Sequence, residues 1–527
     1  MLSNIKLNIM RILLEKFFTV GLEKLHDIFV KPFVSLPYYK KCFWLILAGL
    51  LLYIPYLNGY NSNHDEQYAL IVSRYSLADL IKTILAEDTS PPLSYLYNKF
   101  WILLFNNPSY DILALRIGTL FCFLATALLG VFPLKRLLGE KTALIFICLV
   151  FLMPSAYYLA INIRMYPLAV FLISGTFLYG MLLVYKPQKY DWLLFSVFSL
   201  LALYTHLYCA ILCVIIWLVV LADLLRLKKY QQLVPFFISG GIVAILFAPW
   251  VLAFYLQCQN NKDAWWGDIS YVKKALMGTL MLYESCSENY YFQSLIFGDF
   301  CWVLLILFLF GAKKDKLEHI IAKRAIIIYL SLILIAFLIT VTLLPILFDR
   351  YLLVCIGLFY ISVAVSFVYF KKLRLLFLCL LLFVFVFGYR ENYLRAQDKG
   401  YKELQTFLLK EMPQNSLVLY HHGRGHLMME FYAPNTDIYF VPMNIYHVLL
   451  QDRAKKEVEH LADLSKYDNI YYLLTLYKAS HFDKCDKLFT NGYDNITQCF
   501  IKISKEEALK YIENTKSLRE QLLQQEK

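Results

Sequence analysis

A small set of ionisable residues lies between the long apolar runs of this 527-residue chain, in which 60% of residues are hydrophobic and 17% are charged. Arginine can hold a phosphate through paired, charge-assisted hydrogen bonds, and a carboxylate can take the proton of an attacking hydroxyl or amine. Ionisable groups at membrane depth are costly, so each is a candidate functional residue. The set is Asp65, Glu66, Glu87, Asp88, Arg116, Arg164, His206, Glu284, Asp349 and Arg350.

The elements that must position these residues are predicted to be membrane helices, because a membrane span needs roughly 20 mostly apolar residues. The composition is typical of a polytopic membrane protein and excludes an ordinary cytosolic enzyme or a disordered chain. Eleven segments qualify, with a range of ten to twelve because the fifth is short. They are residues 42–58, 112–132, 142–160, 167–185, 191–205, 207–225, 233–254, 295–311, 325–348, 351–370 and 373–389.

The short connections predict the orientation of these helices. One set of loops is dense in Lys and Arg, and the positive-inside rule places it in the cytoplasm. The other set, which contains residues 162–164, Thr205 and residues 348–351, is sparse in positive charge. Eleven spans then leave the N-terminus inside and the C-terminus outside. Every ionisable residue of the set maps to the outer face, which predicts one polar site there. The basic loops are residues 133–141, 186–190, 226–230, 313–324 and 371–374.

Several regions are predicted to lie outside the helices. Residues 1–41 have apolar residues at helical spacing with basic residues between them, which is typical of an interfacial helix, although a poorly ordered cytoplasmic tail is the alternative. Two external loops cover residues 59–111 and 255–294, and the first has amphipathic stretches near 66–86 and 93–105. Residues 390–527 alternate strand-like and charged helical runs, which predicts a small extracytoplasmic α/β domain. The fold class is therefore an all-α polytopic membrane protein with this domain attached.

Charge and cysteine content narrow the chemistry further. The net charge of +12 lies largely in the short basic loops, so it does not indicate a nucleic-acid partner. The twelve cysteines contain no CxxC pair, but Cys258 with Cys286, and Cys485 with Cys499, could each form a disulfide in an oxidising compartment. The three histidines of HHGRGH at 421–426 fit a polar loop better than a metal site.

Six motifs together resemble the GT-C glycosyltransferases, over about residues 42–370. They occur in the same order as in the group of dolichyl-phosphate-mannose protein mannosyltransferases (family 39-like), which includes lipid A aminoarabinose transferases and RgtA/B/C/D-like sugar transferases. The resemblance implies an enzyme that uses a polyprenyl-phosphate-linked sugar as donor. The motifs are HDEQY (64–68), DTSPPLSYLY (88–97), LRIGTLF (115–121), IRMYPL (163–168), YTHLY (204–208) and DRYLL (349–353).

The resemblance also implies roles for individual residues. Asp65 would be the general base, with Glu66 supporting it or binding donor or acceptor. Arg164 would hold the lipid phosphate, His206 would line the site, and Arg350 would be a second phosphate ligand. The remaining substrate-binding candidates are Asp88 and Tyr351, which belong to the second and last motifs. Ser90 stands where many relatives have histidine, which removes support for a metal or donor ligand there. A divalent cation stays open, because some GT-C enzymes need one and others do not.

Each residue also has a simpler interpretation. Asp65 and Glu66 could end a helix, Asp88 could start a turn, and His206 could be a structural hydrogen-bonding residue. The cations could contact lipid headgroups or form ion pairs, and Arg116 fits a structural role better than a substrate contact. For the whole protein, the alternatives to a transferase are a polyprenyl-lipid transporter or flippase and a non-catalytic lipid-binding scaffold. The expected partners are the sugar donor, a lipid, glycan or protein acceptor, and membrane lipids, in a bacterial inner membrane with the site on the periplasmic side.

Overall fold

The computed structural model describes residues 31–57, 64–88, 90–107, 110–260, 271–280, 288–396, 399–421, 423–433, 435–441, 464–476, 485–490 and 497–525. The predicted interfacial helix over residues 4–30, Glu284 and Cys286 lie outside these residues. Most of the described chain is helical, and a small sheet follows the last long apolar helix.

The helices are numbered here in chain order. They are α1 Lys31–Ser35, α2 Tyr38–Tyr53, α3 His64–Arg74, α4 Leu77–Glu87, α5 Leu93–Phe105, α6 Asp111–Leu129, α7 Lys135–Leu138, α8 Glu140–Leu152, α9 Ala156–Ile161, α10 Tyr166–Tyr185, α11 Asp191–Leu203, α12 Leu207–Arg226, α13 Leu233–Asn260, α14 Tyr271–Leu280, α15 Glu288–Gly311, α16 Leu317–Thr342, α17 Asp349–Leu352, α18 Ile356–Tyr369, α19 Arg374–Ala396, α20 Lys399–Thr406, α21 Gly423–Tyr432 and α22 Lys505–Gln525.

Seven helical segments of the described chain are long and apolar enough to cross a membrane. Two further apolar helices, Asp191–Leu203 and Ile296–Gly311, are shorter. The structure therefore supports a protein with several membrane spans, but it does not confirm the predicted number of eleven. The seven are Asp111–Leu138, Tyr166–Tyr185, Leu207–Arg226, Tyr230–Gln257, Leu317–Thr342, Asp349–Tyr369 and Lys371–Leu394.

Two of the predicted helical stretches are interrupted, each for a local reason. The expected span over residues 142–160 stops at Leu152, where Met153 is extended with ψ 154° because it precedes Pro154, and proline disfavours helical geometry at the residue before it. The amphipathic stretch near 66–86 divides into α3 and α4. There the Ser76 side chain accepts a hydrogen bond from the Asp79 amide and so caps the second helix.

The C-terminal region contains one five-stranded sheet in the order β2-β1-β3-β5-β4. The central strands β1 and β3 are parallel, and β2 is parallel to β1, whereas β5 runs antiparallel to both β3 and β4. Helices cover both faces of the sheet with apolar side chains. The strands are β1 Ser416–Tyr420, β2 Asp437–Phe440, β3 Asn469–Leu476, β4 Lys487–Thr490 and β5 Thr497–Ile503.

Three details of this region bear on the sequence predictions. Cys485 and Cys499 form a disulfide. The HHGRGH segment was expected to be a polar loop, but α21 begins within it at Gly423, and Met428, Met429 and Tyr432 of this helix pack into the apolar core. The last long apolar helix continues to Ala396, past the predicted domain boundary at residue 389.

Helix α21 also connects the C-terminal region to the rest of the molecule. It packs against α3, the helix that begins at His64. Its Phe431 lies against an apolar cluster that contains Ala69 and Leu70 of α3 and Ile84 of α4. The sheet region is therefore in direct contact with the helix that carries Asp65 and Glu66.

Candidate functional site

The centre of the candidate site is the first turn of α3, where Asp65 lies between two arginines. The Arg350 Nη1 atom donates a hydrogen bond of 2.8 Å to Asp65 Oδ2. The Arg164 Nε atom is 4.0 Å from the same oxygen, and Arg164 Nη1 donates to the Asp65 main-chain oxygen at 3.3 Å. The three residues come from sequence positions up to 285 apart, so the fold assembles a site that the motif order only suggested.

The two arginines reach Asp65 from the short segments that separate long helices of the bundle. Arg164 lies in the segment between α9 and α10, and the second of these helices starts at Tyr166 with a proline in its first turn. Arg350 lies in the first turn of the short helix α17, and the Asp349 carboxylate accepts a hydrogen bond from the Arg350 amide at 2.9 Å. Upstream of it, the Ile346 and Leu347 amides donate to Thr340 Oγ1, which fixes the approach of this segment.

The Arg164 side chain is largely buried, with 11% of its surface exposed. Its Nε atom has no hydrogen-bond partner among the described residues. The same is true of the hydroxyl of Tyr166, a fully buried residue two positions further on. Unsatisfied buried donors are costly, so two of them beside a pair of cations indicate a place where an anion can bind.

Glu66 is buried beside Asp65 and has a different environment. Its Oε1 atom accepts a hydrogen bond of 2.9 Å from the main-chain amide of Ile163. The side chain thus holds the segment that carries Arg164.

The aromatic rings of His206 and Tyr351 lie next to each other and beside the arginines. The His206 ring centroid is 5.5 Å from that of Tyr351 and 5.9 Å from that of Tyr166. His206 caps α12, since its Nδ1 accepts a hydrogen bond from the Tyr208 amide at 3.1 Å. The Arg350 guanidinium carbon lies 5.4 Å from the Tyr351 ring centroid, in the range of a cation–π contact.

Burial and the two nearby cations give His206 a fixed charge state. Burial lowers the pKa of His206 to about 3, and the positive charges of Arg164 and Arg350 act in the same direction. The imidazole is therefore neutral near pH 7, which leaves the two arginines as the cationic groups beside Asp65.

Asp88 is hydrogen-bonded to Tyr95. Its Oδ2 accepts a hydrogen bond from the Tyr95 hydroxyl, and its Oδ1 accepts one from the Ser90 amide at 3.0 Å. Burial, followed by the charge of Asp88, raises the pKa of Tyr95 well above its usual value. The turn interpretation of Asp88 thus has direct support, while its use as a substrate ligand stays a prediction.

Arg116 is separate from this cluster. It is buried in α6, and its Nη1 donates to the main-chain oxygens of Tyr56 at 3.4 Å and Leu57 at 3.2 Å. A cation at the carboxyl end of a helix satisfies carbonyls that have no partner within the helix. This contact fits the structural role expected for Arg116.

Sequence reasoning missed two contributors near the site. Tyr166 lies inside the IRMYPL motif, but an aromatic residue beside an arginine was not singled out. Gln257, which is fully buried in α13, donates from Nε2 to the Ile84 oxygen at 3.0 Å and the Ser90 oxygen at 3.4 Å. It thus fixes the segment that carries Asp88, and no local pattern marks a single buried glutamine for that role.

A metal site is not evident in the described parts of the chain. Within these residues, no group of three or more His, Cys, Asp or Glu side chains is arranged to hold an ion.

The comparisons with known proteins concern the fold. No protein-family model and no curated protein matches the chain. Among solved structures, the crystal structure of ArnT from Cupriavidus metallidurans bound to undecaprenyl phosphate aligns with 87% of this chain and 97% of its own, at a TM-score of 0.53 and 13% identity. The chain shares the overall fold of that ArnT structure.

Two further structures are similar at lower scores. The apo form of the same ArnT covers 87% of this chain and 97% of its own, at a TM-score of 0.45 and 11% identity. An oligosaccharyltransferase from Archaeoglobus fulgidus, in a complex with zinc and sulfate, covers 74% of this chain and 61% of its own, at a TM-score of 0.37 and 13% identity. The likeness to ArnT agrees with the multi-pass membrane fold expected from the sequence.

Proposed function

We propose that this protein is an integral membrane glycosyltransferase, related to the family 39-like and RgtA-like enzymes. It moves a hexosyl, pentosyl or amino sugar from a polyprenyl-phosphate donor to a lipid, glycan or protein acceptor of the cell envelope. The observation that carries the proposal is the carboxylate of Asp65 between Arg164 and Arg350 in a GT-C fold. ArnT, which shares that fold, has been crystallised with undecaprenyl phosphate.

In the proposed reaction, the acceptor oxygen or nitrogen forms a bond to the anomeric carbon of the sugar. The bond between that carbon and the phosphate oxygen breaks, and the electron pair leaves with the polyprenyl phosphate. Asp65 takes the proton of the acceptor. Arg164 and Arg350 stabilise the charge that develops on the departing phosphate, assisted by the unpaired Tyr166 hydroxyl.

For this reaction, Arg164 and Arg350 must release Asp65 and bind the phosphate of the donor instead. In the structure, the Arg350 guanidinium donates a hydrogen bond to the Asp65 carboxylate. A donor phosphate that binds both arginines would compete with the Asp65 carboxylate and leave it able to accept a proton. His206, neutral near pH 7, and Tyr351 would line the sugar or phosphate without adding charge.

The proposed location is the inner membrane, with the N-terminus in the cytoplasm and the site and C-terminal region on the periplasmic side. The basic loops and the positive-inside rule support this orientation. The ends of α12 agree with it, since His206 lies at one end and the basic segment from Arg226 to Lys229 at the other.

Mass spectrometry of envelope lipids and glycans tests the proposal. Cells with the wild-type chain, cells without it, and cells with Asp65→Asn would be compared. We expect one glycan or lipid to lack a hexose, pentose or amino sugar without the protein, and Asp65→Asn not to restore it. If the envelope lipids and glycans do not change without the protein, the proposal that it is an enzyme is contradicted. Full restoration by Asp65→Asn would favour the non-catalytic scaffold.

A further inference from the structure

Glu66 makes a contact that a general acid or base would not need. It is 6% exposed, and its Oε1 atom accepts a hydrogen bond from the Ile163 amide at 2.9 Å. Ile163 is 1% exposed. It follows Asn162, where helix α9 has ended and the backbone is extended, so its amide has no place in a helical ladder. A buried amide without a partner is costly, and Glu66 supplies the partner.

The neighbouring residues on both sides are also in contact. Asp65 precedes Glu66 on α3, and Arg164 follows Ile163 in the segment before α10. Arg164 Nη1 donates to the Asp65 main-chain oxygen at 3.3 Å. Two adjacent residues of the helix therefore hold two adjacent residues of the segment, through one side-chain and one main-chain acceptor.

The apolar side of the segment supports the same arrangement. Ile163 belongs to a buried apolar cluster to which α3 contributes Ala69, Leu70 and Val72. The segment is thus fixed to α3 by packing and by the Glu66 hydrogen bond. Since only one peptide separates Ile163 from Arg164, a shift of the Ile163 amide would move the Arg164 guanidinium away from the phosphate position.

We propose that Glu66 is a positioning residue, which sets the place of Arg164 through the Ile163 main chain and does not itself transfer a proton. This inference rests on the proposed function, because it assigns Arg164 to the donor phosphate. It gives the two acidic residues of the HDEQY motif different roles. Asp65 takes the proton, and Glu66 holds Arg164 in position.

Two conservative substitutions distinguish positioning from charge. Glu66→Gln keeps the length of the side chain and a carbonyl acceptor but removes the charge. Glu66→Asp keeps the charge but is one methylene shorter, so it cannot reach the Ile163 amide without movement. The affinity of the purified full-length protein for undecaprenyl phosphate in detergent would be measured for both, with Ile163→Val as a control that retains the amide.

We expect Glu66→Gln and Ile163→Val to bind within about threefold of the wild type, and Glu66→Asp to bind about tenfold more weakly. In an Arg164→Ala background, Glu66→Asp should cause no further loss, because its effect acts through Arg164. Thermal unfolding of each variant shows whether the compared proteins are folded.

The opposite pattern overturns the inference. If Glu66→Gln binds as weakly as an Arg164 variant while Glu66→Asp binds normally, the charge of Glu66 matters rather than its reach. Additive losses in the Arg164→Ala background would also contradict it. If the wild type does not bind undecaprenyl phosphate, the proposed function fails first, and the two failures are thus distinguishable.

Discussion

The two ends of the helix bundle each contain an Asp–Arg pair with a tyrosine beside it, but the environments differ. We call them the Asp65 end (Asp65, Arg164, Arg350, Tyr166) and the Asp223 end (Asp223, Arg324, Arg226, Tyr185). Asp65 has 29% of its side chain exposed, whereas Asp223 has none. The tyrosine hydroxyls differ too. Tyr185 donates to Asp223 Oδ2 at 3.0 Å, but Tyr166 has no hydrogen-bond partner among the described residues.

The Asp223 end has the features of a structural contact. Arg324 binds both Asp223 oxygens, with Nη2 at 2.5 Å and Nε at 3.1 Å, and so joins α12 to α16. Arg226 is 3.4 Å from the same carboxylate. Both Asp223 oxygens are thus bound by Arg324, whereas at the Asp65 end the buried Arg164 Nε has no hydrogen-bond partner among the described residues. The same residue types therefore form a buried, bidentate contact at one end and a partly exposed one at the other.

The largest expected effect is on transfer at the Asp65 end. Asp65→Asn should reduce the rate of sugar transfer by about a thousandfold, because an amide cannot take the proton of the acceptor. The measurement is transfer from the donor sugar in purified membranes. Asp79→Asn, which removes the same charge from the first turn of α4, is the control and should retain near-normal transfer. A normal rate in Asp65→Asn would show that Asp65 is not the base.

At the Asp223 end, substitution should affect stability instead. Asp223→Asn removes the buried charge that pairs with the partly exposed Arg324, and we expect a loss of about 3 kcal/mol in the free energy of unfolding. Thermal unfolding in detergent measures it. Asp65→Asn should lower the melting temperature much less, because its carboxylate is partly exposed. Equal shifts for the two variants would remove the distinction between the ends.

A third prediction concerns competition for the arginines. Asp65 and a lipid phosphate would bind the same guanidinium groups, so Asp65→Asn should bind undecaprenyl phosphate about tenfold more tightly, although it transfers no sugar. Equilibrium binding at fixed ionic strength is the measurement. Weaker binding by this variant, with Asp79→Asn unchanged, would show that the carboxylate supports the phosphate site rather than competing for it.

Tyr166 at the Asp65 end and Tyr185 at the Asp223 end allow the same substitution to be compared at both ends. Tyr166→Phe should weaken undecaprenyl phosphate binding by about fivefold with no loss of stability, because its hydroxyl has no partner to lose. Tyr185→Phe should lower the melting temperature and leave binding unchanged, since its hydroxyl donates to Asp223. Unfolding and binding curves for both variants would be compared. The reverse assignment of the two effects would contradict this account.

The smallest expected effect is that of His206 protonation on the pH dependence of lipid binding. Its pKa is lowered to about 3 by burial and by the two arginines, below the ordinary value of 6.5. His206 therefore adds no inflection to lipid binding between about pH 5 and 8. Its contribution to stability is complete above about pH 6.5 and is lost as the pH falls toward 3, since the unfolded chain then binds more protons. His206→Asn, which can still cap α12, should give the same binding profile.

Much of this architecture follows from the sequence, and particular residues show where prediction stops. The loop charges predicted that Asp65, Arg164 and Arg350 share one end of the bundle, and they do lie together. Strand-like runs such as NIYYLLTL correspond to real strands. The contact of Glu66 with the Ile163 amide could not be predicted, because every residue type except proline offers the same main-chain donor. The segment at Met153 was read as continuous helix because its apolar content outweighed the local effect of Pro154.

The contact of Phe431 with the cluster around Ala69 and Leu70 has a consequence for how the chain folds. Helix α21 belongs to the region that follows the last long apolar helix, yet it rests on the helix that begins with the HDEQY motif. Helix α3 is therefore packed against residues that are synthesised more than 350 positions later. We therefore expect the packing of α3 to be completed only after synthesis has passed Tyr432, later than the long apolar helices.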